Sequence, residues 1–247
     1  SNELAGLLEL RGDLVGADPA SLSGWHGQLF ARLEGAALGG WRSWIDYPVS
    51  IDGRGALNAW LTFDGARIVS SLIDLSLRSV RLQLDGTLPT LELMRLDGRI
   101  GGDFGPEGFS VSSRGLAMSF ADGSIDLPRT DADLRISRGA DGQPNAGHFA
   151  VNRLDVAALA RLAQYLPLDA ALHRQLAALA PDGQLSGVSL DWKGTAQAAP
   201  SWSVVARFDG IGFTAGGGWP GMAGLSGEIE GNDQSGRFTL ASSGASI

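Results

Sequence analysis

Four aspartates, Asp122, Asp126, Asp131 and Asp133, form the densest carboxylate group in the sequence. Acids spaced this way serve glycoside hydrolysis or bind calcium through hard oxygens. Their neighbours favour ordinary structure instead. Asp122-Gly123 is a turn dipeptide, and Asp131 and Asp133 alternate with Ala132 and Leu134, which puts both acids on the wet face of a strand. The histidines His26, His148 and His173 stand far apart in unlike surroundings and make no ligand or general-base set. Gly216-Gly217-Gly218-Trp219-Pro220-Gly221 matches the dinucleotide fingerprint letter for letter. Trp-Pro-Gly, however, cannot open the helix whose N-terminus would hold the pyrophosphate. Nucleophile-elbow serine, Walker loop, helical zinc-binding pair and EF-hand loop are all missing from the sequence. The chain therefore reads as no enzyme, with no catalytic residue, no metal site and no cofactor. Trp25, Trp41, Trp44 and Trp60 gather in the first quarter, where they could stack on sugars; packing at a wet-to-apolar edge is the plainer reading.

Composition narrows the class further. The 247 residues include 36 glycines and 10 prolines, without the three-residue period of collagen, and 44% are hydrophobic, enough for a packed fold. A net charge of −8, from 19 basic and 27 acidic residues, disfavours a nucleic-acid partner. Cysteine is absent, which excludes disulfides and thiolate chemistry and says nothing of the compartment. Apolar runs such as Val156–Ala160 are far shorter than the ~20 residues a membrane helix needs. Ser1-Asn2 resembles a remnant of tag removal, and the alternating segment begun by Phe238-Thr239-Leu240 has no closing element, so the chain reads as a piece of a longer protein.

The elements that must carry these residues are mostly strands. Val80, Leu82 and Leu84 alternate with polar residues, as do Ala132, Leu134 and Ile136, and Val188, Leu190 and Trp192. Leu29, Ala31 and Leu33 do the same, with Phe30 an intruder on the polar side. Between Ile73-Leu75-Leu77 and Val80-Leu82-Leu84 the parity switches at Ser79, which predicts a bulge or break there. A pentad of apolar, any, Gly, any, aliphatic recurs at Leu10–Leu14, Leu84–Leu88, Leu96–Ile100 and Leu225–Ile229. Its central glycine opens a notch on the apolar face for a bend or a close backbone approach. Asp64-Gly65, Asp122-Gly123 and Asp141-Gly142 supply turns. One stretch has helical period: Val156, Leu159, Ala163 and Leu166 with Asp155 as N-cap, then Pro167, then Leu168, Leu172, Leu176 and Leu179 with Asp169 as N-cap. The expected fold is mainly β: a long, strongly curved antiparallel sheet, shaped as a groove, a sandwich or an open barrel, with one inserted helical hairpin. Its parts are residues 1–154, the helical hairpin 155–182, and 183–247, the last truncated at its C-terminal end.

A family resemblance rests on residues 149–247. Phe149–Asp155 leads into the Leu-Pro-broken helical pair, which ends at Leu176–Gly183. Leu185-Ser186-Gly187, Asp191-Trp192, Trp202-Ser203-Val204, Arg207-Phe208 and Gly210-Ile211-Gly212 follow, then Trp219-Pro220-Gly221, Leu225-Ser226-Gly227 and Gly231-Asn232-Asp233. In this order the landmarks resemble the central region of YhdP-type proteins, of the AsmA-like group that includes TamB. The resemblance implies a periplasmic part of an inner-membrane-anchored protein of a Gram-negative bacterium. It also implies a bridge-like lipid transporter whose apolar groove carries phospholipid acyl chains between inner and outer membrane. Other envelope proteins are further candidate partners. On that reading the groove candidates are Leu75, Leu77, Leu82, Leu84, Leu134 and Ile136. The alternatives are a structural or interaction β-module with a dry, closed core, and a sugar-binding β-domain using Trp and Asp.

Overall fold

The protein is mainly β. Its computed structural model describes residues 6–16, 24–37, 50–65, 67–194, 201–216, 220–242 and 244–246. The strands are β1 (Leu7–Val15), β2 (His26–Ala37), β3 (Ser50–Asp64), β4 (Arg67–Gln83), β5 (Leu91–Gly105), β6 (Gly108–Phe120), β7 (Asp126–Arg138), β8 (Pro144–Asp155), β9 (Asp182–Lys193), β10 (Ser201–Phe213), β11 (Met222–Asn232) and β12 (Gly236–Leu240). Between β8 and β9 lie α1 (Val156–Leu162), a 3-10 turn (Ala163–Tyr165) and α2 (Ala170–Leu179). Pairing is antiparallel, and strand order follows chain order. Two compact units divide the chain, one of Ser1–Asp85 and Thr90–Arg129, the other of Gly86–Pro89 and Thr130–Ile247.

In the first unit, β1 to β6 form an open, bent meander. Register aligns the apolar side chains into rows across the strands. One row runs Leu10, Ala31, Ala59, Ile73, Ile100. The next runs Leu8, Leu33, Leu57, Leu75 and ends at Gly98. Gly98 has φ +144°, and a Cβ there would stand 2.7 Å from Leu116 Cα, so the mid-pentad glycine does admit a neighbouring backbone. Bulges bend the sheet, and the predicted one is present: Ser79 sits at φ 51°, where β4 carries one residue more than β3 between Asp52 and Arg54. Beyond it Val80 meets Leu93 and Leu82 meets Leu91, so the apolar face continues. Leu93 in turn meets Phe120. Val80, Leu93 and Phe120 are the deepest of this row, at 1, 2 and 3% exposure. The tight turn after β6, closed by Phe120 N–H to Ile125 C=O at 2.8 Å, brings Ile125 to 4% exposure.

Not every pentad is a strand notch. Leu84–Leu88 lies in the connection between β4 and β5, and the strand expected to include Leu84 stops at Gln83. With Asp85, Gly86 and Pro89 around it, the segment has turn chemistry that overrides the alternation.

The second unit continues the alternation from β7 to β12. Leu134, Phe149, Leu190 and Val204 form one cross-strand row. Ile136, Gly147, Trp192 and Trp202 form another, in which the Trp192 indole lies across Gly147. At Gly227 a Cβ would overlap the Thr239 carbonyl, and the Phe208 ring fills the space above it, stacking on Phe238 at 5.3 Å.

Both helix caps are as predicted. The Asp155 carboxylate accepts from Ala158 N–H at 2.8 Å and that of Asp169 from Ala171 N–H at 2.6 Å. The first apolar stripe differs from expectation. The chain tightens to a 3-10 turn after Leu162, which rotates later side chains off the α-helical stripe. Of the expected stripe Ala163 is buried and Val156 half-buried, Leu166 past the turn stays 38% exposed, and Leu159 stays 40% exposed because α1 turns the neighbouring Ala158 inward instead. α1 packs against β8 and β9, whereas α2 buries no residue.

Candidate functional site

A sheet face built of aliphatic and aromatic side chains has no group that can move a proton or hold a metal. What it can do is lie against hydrocarbon. Leu75, Leu77 and Leu82 share the apolar face of β4 on either side of the Ser79 bulge. Leu75 and Leu82 are half-buried, and Leu77 is buried at 3% exposure. Leu84 is half-buried in the connection past the strand end. Leu134 and Ile136 are half-buried on the apolar face of β7, opposite Phe149 and Gly147.

Register adds residues that a one-strand reading does not select. Leu57 and Ala59 join the β4 leucines, and Phe149, Leu190 and Val204 join Leu134. Their alternation is visible in the sequence; which of them share a row depends on turn length and bulge position. On β1, Leu8, Leu10 and Leu14 are 43, 59 and 41% exposed, and on β12 Phe238 and Leu240 reach 58 and 55%. Apolar surface of this extent asks for an apolar neighbour.

The opposite face is wet and ionic. Arg99 on β5 grips Asp74 on β4, with Nη2 donating to Oδ2 at 2.8 Å. That hydrogen bond is the main reason the Asp74 carboxyl is held below the ordinary carboxylate range. Arg81 pairs with Asp52 at 2.7 Å, and Arg207 with Glu228 at 2.7 Å. Phe30 interrupts this face as the sequence suggests, joined by Trp60 at 5.2 Å between ring centres and by Leu72 in the same row.

The residues weighed first for chemistry are dispersed. Asp122 accepts from the Ser124 amide in its turn, and Asp126 accepts from the Ser119 hydroxyl at 2.6 Å. His26 meets Asp64, His148 meets Asp191, and His173 Nε2 lies 2.8 Å from the Ala163 carbonyl oxygen. Trp41 and Trp44 lie outside the described residues, as do Gly217–Trp219 of the dinucleotide-like run. Among the described residues no three His, Cys, Asp or Glu side chains gather as a metal site.

The YhdP protein family matches residues 1–247, the whole chain. The chain belongs to the YhdP family. Family membership makes it AsmA-like, from a family of bacterial envelope proteins. No curated protein and no solved structure matches it. As a YhdP-family chain it shows no helix, among the described residues, long and apolar enough to cross a membrane.

Proposed function

We propose that this chain is a non-enzymatic segment of a bridge-like lipid transporter, and that its apolar sheet face carries phospholipid acyl chains between inner and outer membrane. The segment then belongs to the periplasmic part of a protein anchored elsewhere in the inner membrane. The observation that carries the reading is the run of aligned apolar rows across neighbouring strands of each unit, most of whose members stay half-buried. A water-facing aliphatic row is unfavourable by roughly 25 cal/mol per Å². Acyl chains remove that penalty without asking for any directed polar contact. Family membership supports the envelope setting.

One observation favours a second reading, a structural β-module. The Val80–Leu93–Phe120 row is buried, so these three side chains offer a ligand no apolar surface of their own. Photo-crosslinkers at Leu82 and at Leu134 in the full-length protein separate the two readings. Capture of phospholipid in cells is the expected result. Capture at neither position, while another segment of the same protein captures lipid, removes this one from the path and leaves the structural module.

A further inference from the structure

We propose that the space beneath α2 is a binding site for an acyl chain of an anionic phospholipid, whose phosphate pairs with Arg174. The inference rests on the lipid reading above for the class of ligand, and adds a place and a headgroup preference.

The two helices are held very differently. The α1 segment is seated by the burial of Ala158 and Ala163, both 6% exposed. No residue of α2 is buried. Among the described residues two polar contacts tie it down: His173 Nε2 to the Ala163 carbonyl oxygen at 2.8 Å, and Thr214 N–H to the Leu179 carbonyl at 2.7 Å. Under this propped helix lies a cavity of about 600 Å³, within the ~300–1,000 Å³ usual for small-molecule sites. Ala178, Leu179 and Pro181 line one side and Phe213, at the end of β10, the other. These four offer dispersion contacts and no hydrogen-bond direction, which suits hydrocarbon, while the exposed Gln175 adds one amide to the lining.

The rim supplies the charge. Arg174 lines the cavity and is exposed, so its guanidinium stands where the cavity meets water. It makes no ion pair with a described residue, in contrast to Arg99, Arg81 and Arg207. A guanidinium matches two phosphate oxygens at once. No carboxylate is among the described lining residues. The ammonium of a zwitterionic head therefore finds no anionic partner among the described lining residues, and an anionic head is preferred. An apolar cavity with one cation at its mouth is complementary to an amphiphile of opposite polarity at each end.

The test places a diazirine-bearing residue at Ala178 and, in a separate variant, at Leu134 of the 247-residue chain. Each is irradiated with vesicles of phosphatidylglycerol, with vesicles of phosphatidylcholine, or with oleate. Ala178 and Arg174 are exposed, so folding is retained, and circular dichroism checks it. Capture of phosphatidylglycerol at Ala178 is expected to exceed that of phosphatidylcholine by about three- to tenfold. Arg174→Gln should abolish that preference and leave capture at Leu134 unchanged. No capture at Ala178, equal capture of both lipids, an unaltered preference in R174Q, or a preference for oleate each overturns the proposal. Capture at Leu134 without capture at Ala178 removes the α2 site alone. Capture at neither removes the lipid reading with it. Capture at Ala178 alone supports the site and counts against the sheet face.

Discussion

In the first unit the most deeply buried side chains are large and come from paired strands: Val80 on β4, Leu93 on β5 and Phe120 on β6. In the second unit, two of the four buried apolar residues among those described are Ala158 and Ala163 of the helical segment, and the strands contribute Val151 and Ala206. Large side chains interdigitating across strands make a core that tolerates little change of volume. Alanines under a short helix bring backbones close but fill little space, and the neighbouring α2 stands over an open cavity. The same alternation is thus finished over a packed row in one unit and as a loosely roofed face in the other.

The sharpest way to break that contrast is Phe120→Ala. Truncating a ring that is 3% exposed should cost about 3–5 kcal/mol, seen as a lowered urea midpoint. Leu134→Ala on the half-buried face should cost clearly less, and equal losses would erase the distinction. A smaller effect comes from the mid-pentad glycines of the first unit. Gly98→Ala forces a Cβ against the Leu116 backbone at a φ of +144° and should cost about 2 kcal/mol. At Gly12 the nearest atom to a new Cβ is Leu29 Cδ1 at an ordinary 3.5 Å, so G12A should be close to neutral in the same denaturation experiment. In the second unit Asp155→Ala removes the cap that seats α1 and should cost about 1 kcal/mol, with faster amide exchange in Val156–Leu162 and none in β4.

The smallest effect is electrostatic and belongs to the wet face. Asp74 has a carboxyl pKa lowered by its hydrogen bond to Arg99, so its contribution to stability is present above the ordinary carboxylate pKa. That contribution is lost as pH falls from there through the lowered value. Arg99→Ala should move the Asp74 titration, followed by carboxyl NMR, back towards the ordinary range and flatten that part of the acid unfolding curve. An unmoved titration would show that the pair does not hold the carboxyl.

Much of the fold was legible because period two and helix punctuation are local signals. The parity switch at Ser79 could be read from four leucines, one isoleucine and a valine, and the bulge is there. Asp155 and Asp169 were legible as caps because an acid before an apolar helical stripe has few other uses. The connection at Leu84–Leu88 was not separable from a strand, since the same pentad is a strand notch at Leu96–Ile100. Which pentad becomes a turn is decided by where the partner strand ends. The cavity beneath α2 was illegible for a similar reason: it joins Arg174 and Leu179 to Phe213, residues brought together by tertiary packing and sharing no local pattern.

Strand order that follows chain order has a further consequence. Each strand depends for its hydrogen bonds on the strands just before and after it in sequence, so no segment has to be threaded past another. A duplicated hairpin inserted at a loop therefore widens such a meander by about 10 Å, at ~4.8 Å per strand, without disturbing the register elsewhere. Length in such a chain is a quantity that heredity can adjust in hairpin-sized steps, as a ruler is cut to the gap it must measure.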